Sequence, residues 1–133
     1  MEPVISVRGI VNRFGHQVVH DGLDMDVMPG EVFGIVGGSG TGKSVLLRTM
    51  LGLQHPAAGT VTIEGRDITT ATARELLQIK RRYGVTFQQG ALFSSLTVAQ
   101  NVELPIAEYY QVGAAPLREL AELKIRLVGL PAD

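Results

Sequence analysis

The sequence predicts an α/β fold, and three observations carry the prediction. Apolar and polar side chains alternate, imperfectly, through residues 5–11 and 17–27, the mark of antiparallel strands with one wet face. A continuous apolar run, Val32-Phe33-Gly34-Ile35-Val36, has instead the pattern of a strand covered on both faces in a parallel sheet. That run passes through a glycine-rich octapeptide into a segment whose apolar residues return at helical spacing.

Taken in order, the first two strands are separated from the apolar run by a turn at Pro29-Gly30, and the second is interrupted at His20-Asp21-Gly22. Beyond the glycine-rich loop, Val45, Leu46, Leu47, Met50, Leu51 and Leu53 predict a helix that His55-Pro56 ends. Residues 60–64 predict a short strand closed by Gly65, residues 72–82 a helix, and residues 83–87 a second short buried strand. A loop over 88–95 follows. Helices are predicted over 97–110 and 116–128, the latter with Leu117, Leu120, Leu123, Leu127 and Val128 along one face. Lys80-Arg81-Arg82 reads as a solvated helix end that the helix dipole favours, and His16 and His20 as solvated strand-edge residues. Residues 129–133 read as a connector toward a further segment. With only two strands of the parallel type, which cannot cover a sheet, the chain is expected to be truncated.

Composition narrows the partners. A chain of 133 residues, 45% hydrophobic, is long enough to bury one core. Lys+Arg of 12 against Asp+Glu of 13 leaves a net charge of -1, so no general attraction draws it to nucleic acid or to an anionic bilayer. Anion binding must be local. Without cysteine there is neither a disulfide framework nor a thiolate metal site, and three scattered histidines make a poor cluster. No apolar stretch approaches the ~20 residues that span a bilayer, and Met1-Glu2-Pro3 begins no secretion signal. A cytoplasmic location is expected, with any membrane association made through a partner.

The octapeptide Gly37-Gly38-Ser39-Gly40-Thr41-Gly42-Lys43-Ser44 fits the G-x-x-x-x-G-K-[ST] phosphate loop at every fixed position, between the predicted strand and helix that the motif requires. Glycines are needed because backbone N–H groups must converge on a phosphate, where a Cβ would block the approach. The helix start adds free donors and its positive dipole end. Lys43 sets an ammonium against the β- and γ-phosphates, and the Ser44 hydroxyl can ligate the Mg²⁺ that bridges them. ATP with Mg²⁺ is the expected ligand, although a phosphate loop by itself does not choose among the many nucleotide-binding families.

The choice is made by Tyr83-Gly84-Val85-Thr86-Phe87-Gln88-Gln89-Gly90-Ala91-Leu92-Phe93-Ser94-Ser95-Leu96-Thr97-Val98, which resembles the glutamine loop of the ABC transporter nucleotide-binding domain. The resemblance implies that Gln88 touches the metal and the attacking water and relays contact with a transmembrane partner. An amide suits that work, since it can accept from or donate to a metal-bound water without carrying charge. Phe14-Gly15 resembles the family's aromatic loop, where a ring stacks on adenine. Gly42-Lys43-Ser44-Val45-Leu46-Leu47-Arg48 and the run from Gln88 to Val98, with Asn101-Val102 and Pro105, resemble one branch more closely. That branch is the ATPase of phospholipid-trafficking systems containing mammalian-cell-entry (MCE) proteins, the lipid-asymmetry or toluene-tolerance type. The resemblance covers essentially the whole chain. It departs at Val45, where Thr is common and would offer phosphate a hydroxyl, and at Gly38, where Pro is common; neither change removes a backbone donor.

The family resemblance implies a P-loop NTPase (RecA-like) core with an antiparallel β subdomain over residues 1–95, followed by the start of a helical subdomain over 96–133. It implies a cytoplasmic ATPase subunit, peripheral on the inner membrane, working with a permease, a second copy of itself and, indirectly, an MCE-type substrate-binding protein. No nucleic-acid partner is expected. What the family uses to finish catalysis is not found: no Leu-Ser-Gly-Gly-Gln-type signature, no apolar strand ending in Asp-Glu, no later switch histidine. The chain is therefore expected to bind nucleotide without hydrolysing it. The competing readings are a soluble ABC-type regulator of translation or DNA repair, and an inactive gene fragment.

Overall fold

In the computed structural model, which describes residues 1–131, the two alternating segments become long antiparallel strands, β1 (Ile5–Phe14) and β2 (Gln17–Val27). The second strand runs on through His20-Asp21-Gly22, but its ladder is disturbed there: Ile10 stands opposite Leu23 and Val11 opposite Asp21, which leaves Gly22 (φ 75) as an extra residue on β2. Further register shifts fall between Val7 and Ile10 and between Asn12 and Arg13, while Asn12 stays opposite His20. β3 (Ala58–Ile63) pairs with the other edge of β1, and the short β4 (Arg66–Asp67) closes a four-stranded antiparallel sheet in the order β2-β1-β3-β4.

Two helices and a sheet face make the core of this first unit, Met1–Tyr83. Val7 and Ile10 of β1, Val61 and Ile63 of β3, Ile68, Leu46 and Met50 of helix α1 (Lys43–Met50) and Ile79 of helix α2 (Ala73–Lys80) form one buried cluster. Each such aliphatic side chain contributes about 1.5–3 kcal/mol by leaving water, so α1 is fastened to the sheet chiefly through Leu46 and Met50. It ends at Met50, ahead of the expected Leu53, because Gly52 turns the backbone left-handed (φ 63) and lets the Leu53 N–H reach back to the Arg48 carbonyl at 2.9 Å. The start of α2 is set by a capping box, in which Thr72 accepts from the Glu75 N–H at 3.3 Å and the Glu75 carboxylate accepts from the Thr72 N–H at 2.8 Å.

Neither of the two strands expected of a parallel sheet forms. Residues 32–36 and 83–87 join no ladder among the described residues, and Val32 and Val36 are 99% and 92% exposed. Only Ile35 of the first segment packs against the core cluster. The physical reason is that a strand exists through its neighbours: an apolar run with no partner backbone has no donors and acceptors to pair with.

From Gly84 onward the chain forms a second unit. Its elements are helix α3 (Val98–Tyr109), with Pro105 inside it, and helix α4 (Ala114–Leu127), packed together through buried Ala99, Ala121 and Ile125. Thr97 and Gln100 repeat the capping-box arrangement at the head of α3. Arg118 of α4 reaches Glu103 of α3 at 3.4 Å and Glu122 one turn on at 3.3 Å. Asn101 ties the preceding loop to α3, its amide accepting from the Phe93 N–H at 2.8 Å and donating to the carbonyls of Phe93, Leu96 and Thr97. The connector expected at 129–133 ends in Ala132 and Asp133, which lie outside the described residues.

Candidate functional site

The glycine-rich octapeptide folds as the loop its composition predicts. Gly42 caps α1 in the left-handed region (φ 91, ψ 10) with no side-chain acceptor at the helix start, and the first intrahelical bond runs from the Leu46 N–H to the Gly42 carbonyl at 2.9 Å. The N–H groups of Lys43, Ser44 and Val45 thus have no partner within the helix, and no acidic side chain stands in the first turn. A Cβ at position 42 would lie 2.3 Å from Val19 Cγ1 and 2.9 Å from His20 Nε2, so only glycine fits between α1 and β2.

Residues before Gly42 are drawn together by the lysine. The Lys43 ammonium donates to the carbonyls of Gly37 at 2.6 Å and Gly38 at 2.5 Å, and the Thr41 hydroxyl donates to the Gly38 carbonyl at 2.8 Å. Ser39 and Gly40 form the turn between them. These bonds hold the ammonium at the loop until a stronger acceptor, such as a phosphate oxygen, replaces two neutral carbonyls.

An open cleft of about 420 Å³ runs along this loop, lined by Phe14, Gln17 and Val19 from the β1–β2 hairpin and by Gly40, Thr41, Gly42, Lys43, Ser44 and Val45. Phe14 is half exposed (50%) at the end of β1 and lines the cleft, so part of its apolar ring is open to a planar ligand. Nine residues line this cleft, none of them a carboxylate and one of them a lysine, so it suits an anion with a flat apolar part. Of the residues expected to bind nucleotide, the cleft gathers Phe14, Gly40, Thr41, Gly42, Lys43, Ser44 and Val45. Gly37 and Gly38 join through the lysine bonds. Gln88 lies on an exposed bend of the second unit and is not among the lining residues.

The expectation for His20 is corrected here, while His16 is exposed as expected. His20 is buried (8% exposed) rather than solvated, because the register of β2 points it inward beside Asn12, itself 1% exposed. The Asn12 amide nitrogen lies 3.1 Å from His20 Nδ1 and donates to Thr49 Oγ1 at 3.1 Å, and the Thr49 hydroxyl donates to the Val45 carbonyl at 2.8 Å. Burial holds the His20 pKa below its ordinary value by penalising the charged ring. Sequence reading missed this trio, yet a signal was there: Asn12 stands two residues beyond Ile10 and so shares its phase on an alternating strand, and Thr49 shares the helical face of Leu46 and Met50.

Comparison with known proteins follows the same loop. The family model described as ABC transporter matches residues 20–129. A probable ribonucleotide transport ATP-binding protein, mkl, of Mycobacterium leprae (strain TN) is 38% identical over 133 residues, covering 100% of this chain and 38% of that protein. The methionine import ATP-binding protein MetN of Brucella abortus (strain 2308) is 38% identical over 128 residues, covering 96% of this chain and 34% of that one. The chain thus spans between about a third and two fifths of the length of these curated relatives. Among solved structures, the dimeric bacterial ABC transporter cassette MJ0796 superposes with a TM-score of 0.80 at 29% identity, over 91% of this chain and 56% of that one. The fold class is accordingly that of the P-loop NTPase cassettes, α/β with an N-terminal antiparallel sheet.

Proposed function

This chain belongs to the ABC transporter family, and from that membership we propose that it is the nucleotide-binding part of an ATPase subunit serving phospholipid transport across the cell envelope. The observation that carries the nucleotide half is the cleft, which sets an aromatic wall, unpaired helix N–H groups and one ammonium around a space without a lining carboxylate. In this reading Phe14 stacks on adenine, the backbone from Gly37 to Val45 cradles the phosphates, and Lys43 leaves its two carbonyl acceptors for the β- and γ-phosphates. Ser44 and Gln88 are the proposed ligands of Mg²⁺, which supplies charge neutralisation between those phosphates.

The phospholipid half rests on the run Gly-Lys-Ser-Val-Leu-Leu-Arg at residues 42–48 and on the glutamine-loop sequence from Gln88 to Val98. The same reading places the subunit in the cytoplasm against the inner membrane, paired with a second copy beneath a permease that an MCE-type protein serves. It assigns residues 1–95 to the ATP-binding core and 96–133 to the start of the helical subdomain. Relatives named for ribonucleotide transport and methionine import favour a transport subunit over a soluble regulator. Hydrolysis belongs, in this proposal, to the whole cassette: no carboxylate lines the cleft to orient water, so the 133-residue chain holds ATP without turning it over.

Calorimetry with Mg-ATP tests the binding. Lys43→Ala should weaken affinity by about 1.5–3 kcal/mol, the scale of a hydrogen bond to a charged group; equal affinity would overturn the assignment. The substrate is tested in cells whose full-length protein carries Lys43→Ala. Excess phospholipid in the outer leaflet with normal methionine and ribonucleotide uptake supports the lipid reading, and the reverse pattern refutes it.

A further inference from the structure

Behind the phosphate loop lies a polar chain that the nucleotide reading leaves unused. Asn12, His20 and Thr49 come from β1, β2 and α1, and all three are buried. An amide nitrogen has protons to give and no lone pair to offer, so across the 3.1 Å contact His20 Nδ1 is the acceptor and Asn12 the donor. The neutral ring then carries its proton on Nε2. That edge faces the loop, since the ring fills the space a side chain at Gly42 would need, with Nε2 2.9 Å from where a Cβ would stand.

Buried polar groups cost stability unless bonded, and an apolar trio could fasten a helix to a sheet as well. What an apolar contact does not supply is direction. Here the direction runs from His20, beneath Gly42, through Asn12 to the Thr49 hydroxyl, which returns to the Val45 carbonyl in the first turn of α1. Two residues beyond Asn12 stands Phe14, and next to His20 stands Val19, both lining the cleft. The chain therefore joins the apolar wall of the cleft to the start of the helix that supplies its free N–H groups.

We propose that Asn12, His20 and Thr49 form a brace that holds Gly42 and the first turn of α1 in register with the Phe14 wall, making His20 a positioning residue for the bound nucleotide. The proposal rests on the cleft being the ATP site. Its basis is that misplacing binding groups by a fraction of an ångström weakens a preorganised site far more than it weakens a core.

The test compares Mg-ATP affinity with melting temperature for the parent chain, Lys43→Ala, His20→Leu, His20→Asn and Thr49→Val. His20→Leu keeps apolar bulk and drops both ring nitrogens, whereas His20→Asn restores an acceptor toward Asn12. His20→Leu should lose about fivefold in affinity, the factor that one hydrogen bond represents, with its folded fraction unchanged at the assay temperature, and His20→Asn should recover most of it. Should His20→Leu fail to fold, Thr49→Val decides from the other end of the chain with the same expected loss. Affinity within twofold of the parent in folded His20→Leu or Thr49→Val, while Lys43→Ala still weakens binding by about tenfold or more, overturns the brace and leaves the ATP site standing. A parent chain that binds no better than Lys43→Ala sinks the ATP site, and the brace with it.

Discussion

Replacing Gly42 by alanine puts a methyl group where both the backbone and two side chains exclude it. Its φ of 91° lies in the left-handed region, which costs a residue with a Cβ about 1–2 kcal/mol. The new carbon would also stand 2.3 Å from Val19 Cγ1 and 2.9 Å from His20 Nε2. Relieving that overlap means shifting a half-buried valine and a buried ring, at about 1–3 kcal/mol. The two terms sum to about 2–5 kcal/mol, a large share of the about 5–15 kcal/mol that holds a typical domain. For a unit of this size about 1 kcal/mol moves the melting temperature by at least about 4 °C, so Gly42→Ala should lower it by at least about 8 °C. Thermal melting followed by circular dichroism, without nucleotide, reads the shift. Gly38→Ala is the comparison, because its Cβ would meet nothing closer than Thr41 Cγ2 at 3.7 Å; it should melt within about 0.5 kcal/mol of the parent. Equal melting of the two variants would refute the reasoning. The double variant Gly42→Ala/Val19→Ala separates the parts, since it removes the overlap with valine and leaves the backbone cost and the contact with His20.

Three further outcomes follow from named contacts. His20 is held below its ordinary pKa in the folded chain, so the unfolded chain binds the proton more readily. Its contribution to stability is complete above the ordinary histidine value of about 6.5 and is lost as pH falls from there through the lowered folded value; urea midpoints measured across that window should fall with pH, and the slope should shrink in His20→Asn. Phe14→Ala should reduce ATP affinity by about 1–3 kcal/mol, the worth of one base stack, while calorimetry with tripolyphosphate finds no change. Thr97→Ala removes the acceptor for the Gln100 N–H at 3.2 Å and should cost about 1 kcal/mol, read as faster hydrogen exchange in the first turn of α3.

Much of the candidate nucleotide site was legible because its residues are contiguous. A motif that needs glycine at fixed spacings, a lysine and a hydroxyl within eight positions writes its chemistry into the sequence directly, and every residue from Gly37 to Ser44 except Ser39 stands around the cleft or bonds to its lysine. Capping was legible for the same reason, since Thr72 with Glu75 and Thr97 with Gln100 lie three residues apart. The apolar runs at 32–36 and 83–87 misled: their composition favours a strand, and a strand forms only where a neighbouring backbone completes its ladder.

By itself, then, the sequence determined the phosphate loop, the helix starts and the alternation that makes β1 and β2 one-sided, because each depends on residues within a few positions of one another. Only the tertiary structure decided that Asn12, His20 and Thr49 meet in the interior, since their partnership joins residues 8 and 37 positions apart through a register that bulges in both β1 and β2 control. It alone decided, too, which loop glycine has no alternative. Gly42 is confined by Val19 and His20 on another strand and Gly38 is not, and steric exclusion between distant segments has no trace in the spacing of a motif.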